Sequence, residues 1–137
     1  MPTIDNDIVI DRPPEEAWVI LGDLTGVTRW VPGVAAARME GTSRICTLAD
    51  GGEIHEEITE LSAAERSYSY KQTVHPLGLR RSQGTLAVEP DGDGGSRVRW
   101  NAEVEFPDTG QEVELLPMLE QGYAAALERL KETAESS

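Results

Sequence analysis

Two side chains in this sequence could move protons, and each has a structural alternative. Glu56 lies in an alternating segment, Glu53 to Leu61, on the same parity as Ile54 and Ile58, so the pattern that turns those isoleucines toward a core carries a carboxylate inward with them. Burying an unpaired carboxylate is costly, and Arg44, on the strand candidate before it, is the natural partner. The pair sits across a turn at Asp50-Gly51-Gly52, either directly opposed or diagonal. It reads as a buried ion pair that fixes the sheet, or as a carboxylate that acts as acid or base or anchors a polar ligand head. His75, at the end of the segment Ser67 to Val74, is the second candidate: a general base within reach of a bound ketone, or an exposed loop histidine. His55 has the opposite parity to Glu56 and faces solvent. Tyr68, Tyr70, Trp100 and Tyr123 read as core or pocket wall, with the tyrosine hydroxyls and Ser82 supplying the few polar contacts an apolar pocket needs. Trp18 and Trp30 read as packing residues.

Other chemistry falls away on inspection. His55-Glu56-Glu57-Ile58-Thr59 starts like a zinc-protease motif but lacks the second histidine and sits on a strand, so no metal site is expected. Asp91-Gly92-Asp93-Gly94-Gly95 starts like a calcium loop, yet Ala102 stands where a bidentate glutamate is required, and the segment reads as a hairpin turn. There is no phosphate loop, no dinucleotide glycine fingerprint and no nucleophile elbow, and no exogenous cofactor is expected. The one cysteine, Cys46, lies in a strand-like segment and reads as a small core residue rather than a catalytic thiol.

The elements that must hold these residues follow from periodicity. Ile4 to Ile10 reads as a strand. A short helix follows, with Pro14 at its first position and Glu15 and Glu16 at the positive end of its dipole; its apolar stripe is Ala17, Trp18 and Leu21. Leu24 to Trp30 reads as a second short helix, stopped by Val31-Pro32-Gly33. From Val34 the period changes to two, giving strands Val34 to Met39, Arg44 to Ala49, Glu53 to Leu61, Ser67 to Val74, Ser82 to Glu89 and Arg97 to Phe106. Short turns between them imply an antiparallel meander. Val98, Trp100, Ala102, Val104 and Phe106 face inward, as do Ser82, Gly84, Leu86 and Val88, and Tyr68, Tyr70, Gln72 and Val74. Thr109 to Glu135 reads as a long amphipathic helix with Leu115, Leu119, Tyr123, Ala126, Leu127 and Leu130 on one side. Thr109 with Glu112 fits a capping box, and Pro117 either kinks the helix or marks its start.

The chain's 137 residues fit one domain, 1–137, and its 12 basic against 25 acidic residues leave a net charge of -13. That field repels a phosphate backbone or an anionic membrane surface, so neither nucleic acid nor membrane is an expected partner. No apolar run approaches a membrane span or a signal peptide, and the expected location is cytoplasmic.

Pro13 to Trp18, Trp30-Val31-Pro32-Gly33-Val34, Arg44 with Glu56 about the Asp50-Gly51-Gly52 turn, Tyr68-Ser69-Tyr70, Gly84-Thr85-Leu86, Val98-Arg99-Trp100 and Ala125 to Lys131 form an ordered set over nearly the whole chain. In that set the sequence resembles the START-like, or SRPBCC, superfamily, which includes polyketide cyclases and dehydratases. The resemblance implies an α+β helix-grip fold: a seven-stranded antiparallel curved sheet wrapped around a long C-terminal helix, two short helices between strands 1 and 2, and an internal cavity. It implies that Glu56 is a pocket-facing carboxylate with Arg44 beside it, and that Met118, Gly122 and Ala126 line the pocket from the helix. Asp50-Gly51-Gly52 resembles the gate loop of the hormone-receptor branch and His75 to Leu79 the loop facing it, but neither reproduces the receptors' gate and latch sequences.

The expected function is binding of a small hydrophobic or aromatic molecule, resembling cyclase/dehydratase proteins that fold a substrate and close or dehydrate it by acid/base chemistry. The alternative is a non-catalytic lipid or metabolite carrier or sensor, and a third is an interaction protein whose cavity has filled with side chains. Glu56 and His75 are the expected proton carriers. The expected ligand contacts are Arg44, Leu48, Tyr68, Tyr70, Ser82, Trp100, Met118, Gly122 and Ala126, in a monomer or homodimer.

Overall fold

A computed structural model describes residues 2–136. The chain runs β1 (Thr3–Ile10), α1 (Pro14–Leu21), a 3-10 turn (Leu24–Arg29), then β2 (Val34–Glu40), β3 (Ser43–Leu48), β4 (Glu53–Ser62), β5 (Ser67–Val74), β6 (Arg81–Asp91), β7 (Gly95–Glu105) and α2 (Thr109–Glu135). The strands form one antiparallel sheet in the order β1-β7-β6-β5-β4-β3-β2, so β2 to β7 are a meander and β1 returns beside β7. The expected elements, the expected order and the helix-grip arrangement are all present. The second short helix is a 3-10 turn, because Pro32 follows before a full α-turn can extend.

The inward parity of β7 is as expected: Val98, Trp100, Ala102 and Val104 are buried, with Phe106 just beyond the strand. They pack against the C-terminal half of α2, whose Ala126, Leu127, Leu130 and Ala134 are buried, together with Ala17, Ile20 and Leu21 of α1. Polar contacts pin that end of the helix. Glu135 accepts from the Asp11 amide at 2.8 Å and from Lys131 Nζ at 2.6 Å, and Lys131 also donates to the Val9 carbonyl at 3.1 Å.

Two local expectations are corrected, and the open choice at Pro117 is decided. The N-cap of α2 is Asp108, whose Oδ1 accepts from the Gln111 amide at 2.8 Å, so the Thr109–Glu112 capping box is not used; a carboxylate one residue earlier already serves the free amide. Pro117 stands inside α2 and does not begin it. Val74 is 47% exposed rather than inward. The register explains this, since His55 pairs with Val74 while Glu56 pairs with Gln72, so β5 carries an extra residue there and its parity changes.

Candidate functional site

A pocket of about 220 Å³ opens between the concave face of β3–β7, the 3-10 turn and the N-terminal half of α2. Val27, Trp30, Val31 and Pro32 line it from the turn and its exit, and Met118, Leu119, Gly122, Tyr123 and Ala126 from α2. That α2 set repeats on one helical face. The sheet contributes Arg44, Cys46, Ile54, Glu56, Tyr68, Tyr70, Gln72, Leu86 and Trp100, and His75 stands at the β5 exit.

The aromatic wall is ordered. Tyr123 stacks on Trp100 with centroids 4.2 Å apart and planes 7° from parallel, and Trp30 meets Trp100 edge-on at 6.1 Å. Gly84, opposite Tyr70 in the register, makes room for that ring: a Cβ there would fall 2.7 Å from the Tyr70 hydroxyl oxygen. Gly122 is different, because a Cβ there would meet nothing within 4 Å.

Arg44 and Glu56 are directly opposed, and Arg44 Nε donates to Glu56 Oε1 at 2.9 Å with both residues buried. Arg44 also donates from Nη1 to the Leu24 carbonyl at 3.0 Å, which ties the sheet to the 3-10 turn, and its guanidinium lies 5.4 Å from the Tyr68 ring centroid. Burial works against its charge, but Tyr68 and Glu56 outweigh it and raise the Arg44 pKa, so the group is cationic.

Glu56 Oε2 accepts from Gln72 Nε2 at 2.9 Å, and the Cys46 thiol lies 3.8 Å from Oε1. Gln72 Oε1 accepts from the Ser82 hydroxyl at 2.6 Å, and Trp100 Nε1 donates to the Tyr70 hydroxyl at 3.0 Å. Tyr123 interacts with both Tyr70 and Ser82. Directions follow from proton counts. Ser82 spends its one proton on Gln72, whose carbonyl cannot donate, and Tyr70 accepts from Trp100. Donation therefore runs from Ser82 through Gln72 to Glu56, and each carboxylate oxygen accepts from a protein donor.

Burial raises the pKa of Tyr68, Tyr70 and Tyr123, and pushes the Cys46 thiol up to about 11 with Glu56 adding to the effect. All four stay protonated near neutrality, and Cys46 is no thiolate nucleophile. His75 is half-buried, and burial lowers its pKa while Glu56 opposes the shift; its Nδ1 accepts from the Leu77 amide at 3.1 Å. The two turns at the rim approach each other, since a Cβ on Gly52 would lie 3.9 Å from Pro76.

Of the residues singled out from sequence, Arg44, Glu56, Tyr68, Tyr70, His75, Trp100, Met118, Gly122 and Ala126 come together at the pocket. Leu48 and Ser82 do not line it. Leu48 pairs with Val34 at the end of β3, and its Cδ1 lies 3.7 Å from where a Gly52 Cβ would be, so it packs under the turn. Ser82 is buried with its hydroxyl turned to Gln72, behind the wall rather than on it. Sequence reasoning missed the 3-10 turn's contribution, Val27, Val31 and Pro32, and assigned Trp30 to packing alone. The aromatic-proline run Trp30-Val31-Pro32 beside a short helix was the available signal. His55 lies off the pocket, 2.9 Å from Glu53 Oε1. Among the described residues no group of three His, Cys, Asp or Glu is placed to hold a metal, and no helix is long and apolar enough to cross a membrane.

A meander sheet gripping a long C-terminal helix over a pocket defines a START-like protein. The chain belongs to the polyketide cyclase / dehydrase and lipid transport family, whose model matches residues 1–135. No curated protein matches the sequence. Among solved structures it is similar to XoxI from Bacillus cereus (21% identity over 97% of this chain and 95% of that one, TM-score 0.86). It is also similar to the di-domain ARO/CYC protein BexL (22% identity, 98% of this chain, 47% of that one, TM-score 0.84). Norcoclaurine synthase from Thalictrum flavum, in complex with dopamine and hydroxybenzaldehyde, matches at 14% identity over 98% of this chain and 87% of that one, TM-score 0.77.

Proposed function

We propose that this protein binds a small, largely apolar, ring-sized molecule in the pocket beneath α2. The observation that carries this reading is the wall itself: stacked Trp100 and Tyr123, with Tyr68, Tyr70, Trp30 and Leu86, beside polar groups already hydrogen-bonded to one another. Such a surface gains by burying an apolar body and has few uncommitted groups for a strongly polar one. At about 220 Å³ it lies below the roughly 300–1,000 Å³ usual for drug-sized ligands, which favours one or two fused rings. The aromatic pair bound by the Thalictrum enzyme, a protein of the same fold, supports the same ligand class.

Between carrier and cyclase, the geometry favours the carrier. Both oxygens of Glu56 are held by protein donors, Arg44 and Gln72, which makes the carboxylate part of the sheet's own bonding, and the only lone pair of neutral His75 is given to the Leu77 amide. Gly122 provides the decisive control. Its replacement by leucine adds bulk where the structure is empty, and glycine in a helix interior costs about 1 kcal/mol relative to better helix formers. Isothermal titration with tetralin, a bicyclic hydrocarbon, is expected to show one site in the wild type and none in Gly122→Leu, with the variant melting no lower than wild type. Equal binding by both would rule out this pocket as the site.

A further inference from the structure

His75 ends β5 at the pocket rim, and two hydrogen bonds fix it in a tight turn. Its carbonyl accepts from the Gly78 amide at 3.0 Å, and its ring Nδ1 accepts from the Leu77 amide at 3.1 Å. A peptide N–H can only donate, so Nδ1 must present a lone pair, and the neutral ring then carries its one proton on Nε2. Among the described residues no hydrogen bond engages Nε2. Protonating Nδ1 would set two donors against each other and break the Leu77 contact. Burial works in the same direction, holding the ring's pKa below its ordinary value.

The acceptors of the wall differ from this donor. Both oxygens of Glu56 and the carbonyl of Gln72 already accept, as does the Tyr70 hydroxyl from Trp100. The wall's acceptors thus already have protein donors, whereas among the described residues the donor at the rim has no partner.

Resting on the binding function proposed above, we infer that His75 presents Nε2–H as the donor that orients the ligand, and that the ligand is therefore a ring-sized molecule carrying an uncharged oxygen acceptor of the ketone or aldehyde class.

Two probes on one bicyclic frame isolate this contact: 1-tetralone and tetralin. Wild type is expected to bind the ketone on the order of tenfold more tightly than the hydrocarbon, the size of one well-formed hydrogen bond. Two variants separate ligand donation from turn capping. In His75→Gln the amide nitrogen falls near the position of Nε2, so the donor is kept and the cap is lost. In His75→Asn the side-chain oxygen replaces Nδ1 toward the Leu77 amide, as in an Asx turn, so the cap is kept and the donor is lost. The ketone preference is expected to survive in Gln and vanish in Asn, whereas a purely turn-capping histidine gives the reverse in stability and no change in preference. Long-range ¹H–¹⁵N correlation of the free protein is expected to show the Nε2–H tautomer at pH 8. The Nδ1–H tautomer, or an undiminished preference in His75→Asn, overturns the inference. Tetralin and tetralone binding equally would overturn it while leaving the pocket as a binding site, and binding of neither would remove both.

Discussion

At the residue scale, the Arg44–Glu56 pair sets the chemistry of the pocket by closing it off. A buried ion pair adds little against a well-packed apolar pair, but removing one partner strands a charge. In Glu56→Gln the amide nitrogen cannot accept, while Arg44 Nε and Gln72 Nε2 both still need an acceptor. We expect that variant to lose about 3 kcal/mol in urea unfolding, and the double replacement Arg44→Met with Glu56→Leu to recover much of it. A single-variant loss below about 1 kcal/mol would mean the pair is solvated and the network described above is not closed. The pairing was legible in sequence because strand parity fixes which residues face inward, and Glu56 shares its parity with Ile54 and Ile58. The hydrogen-bond directions were not. They depend on Gln72 bridging two neighbouring strands, which no local pattern specifies. The His75 tautomer was likewise hidden, being set by an amide two residues on, in a turn whose shape relies on Gly78 at φ +64°.

At the element scale, α2 is two structures in one helix. Its C-terminal half buries Ala126, Leu127, Leu130 and Ala134 and is tied to β1 and α1, while its N-terminal half leaves Val113 and Met118 exposed above the pocket. Pro117 removes one amide, so the Val113 carbonyl lacks its usual helical donor. The helix could be read from the 3.6-residue period, but whether Pro117 begins it could not, nor could the division, since it depends on what the sheet offers beneath each turn. The same limit applied to β4 and β5, where register shifts at His55/Glu56 and Ile58/Glu60 displaced Val74 from the inward row. Hydrogen exchange is expected to be faster for amides 113–121 than for 126–134, and saturating tetralin is expected to slow the first group selectively. Uniform protection along the helix would mean that α2 is one rigid body, and the pocket would then have no yielding wall.

At the scale of the whole molecule, pH reports the division between a wet acidic surface and a dry aromatic interior. On the acid side, hydrogen bonds lower the carboxyl pKa values of Glu15, Glu53, Glu57 and Glu135 below their ordinary 4.5, and burial lowers that of His75 below 6.5. For each of these the unfolded chain takes up protons first as pH falls, so stability is lost below about pH 6.5 and again below about 4.5. On the alkaline side the sign reverses. Burial raises Cys46 from 9.0 to about 11, and raises Tyr68, Tyr70 and Tyr123 above 10.0, so the unfolded chain releases protons that the folded one keeps. Stability from these groups is full below the unfolded values and drains away as pH rises through 9 and beyond. Melting temperature measured from pH 4 to 11 is therefore expected to be level between about 6.5 and 9 and to fall on both sides. The alkaline limb can be tied to one residue. Cys46→Ala removes the first group to ionise in the unfolded chain, so the onset of the fall should move from near pH 9 toward pH 10, where the tyrosines begin. An unchanged onset would show that Cys46 is reached by water through the pocket in the folded state, and that the interior facing the ligand is wetter than its aromatic wall implies.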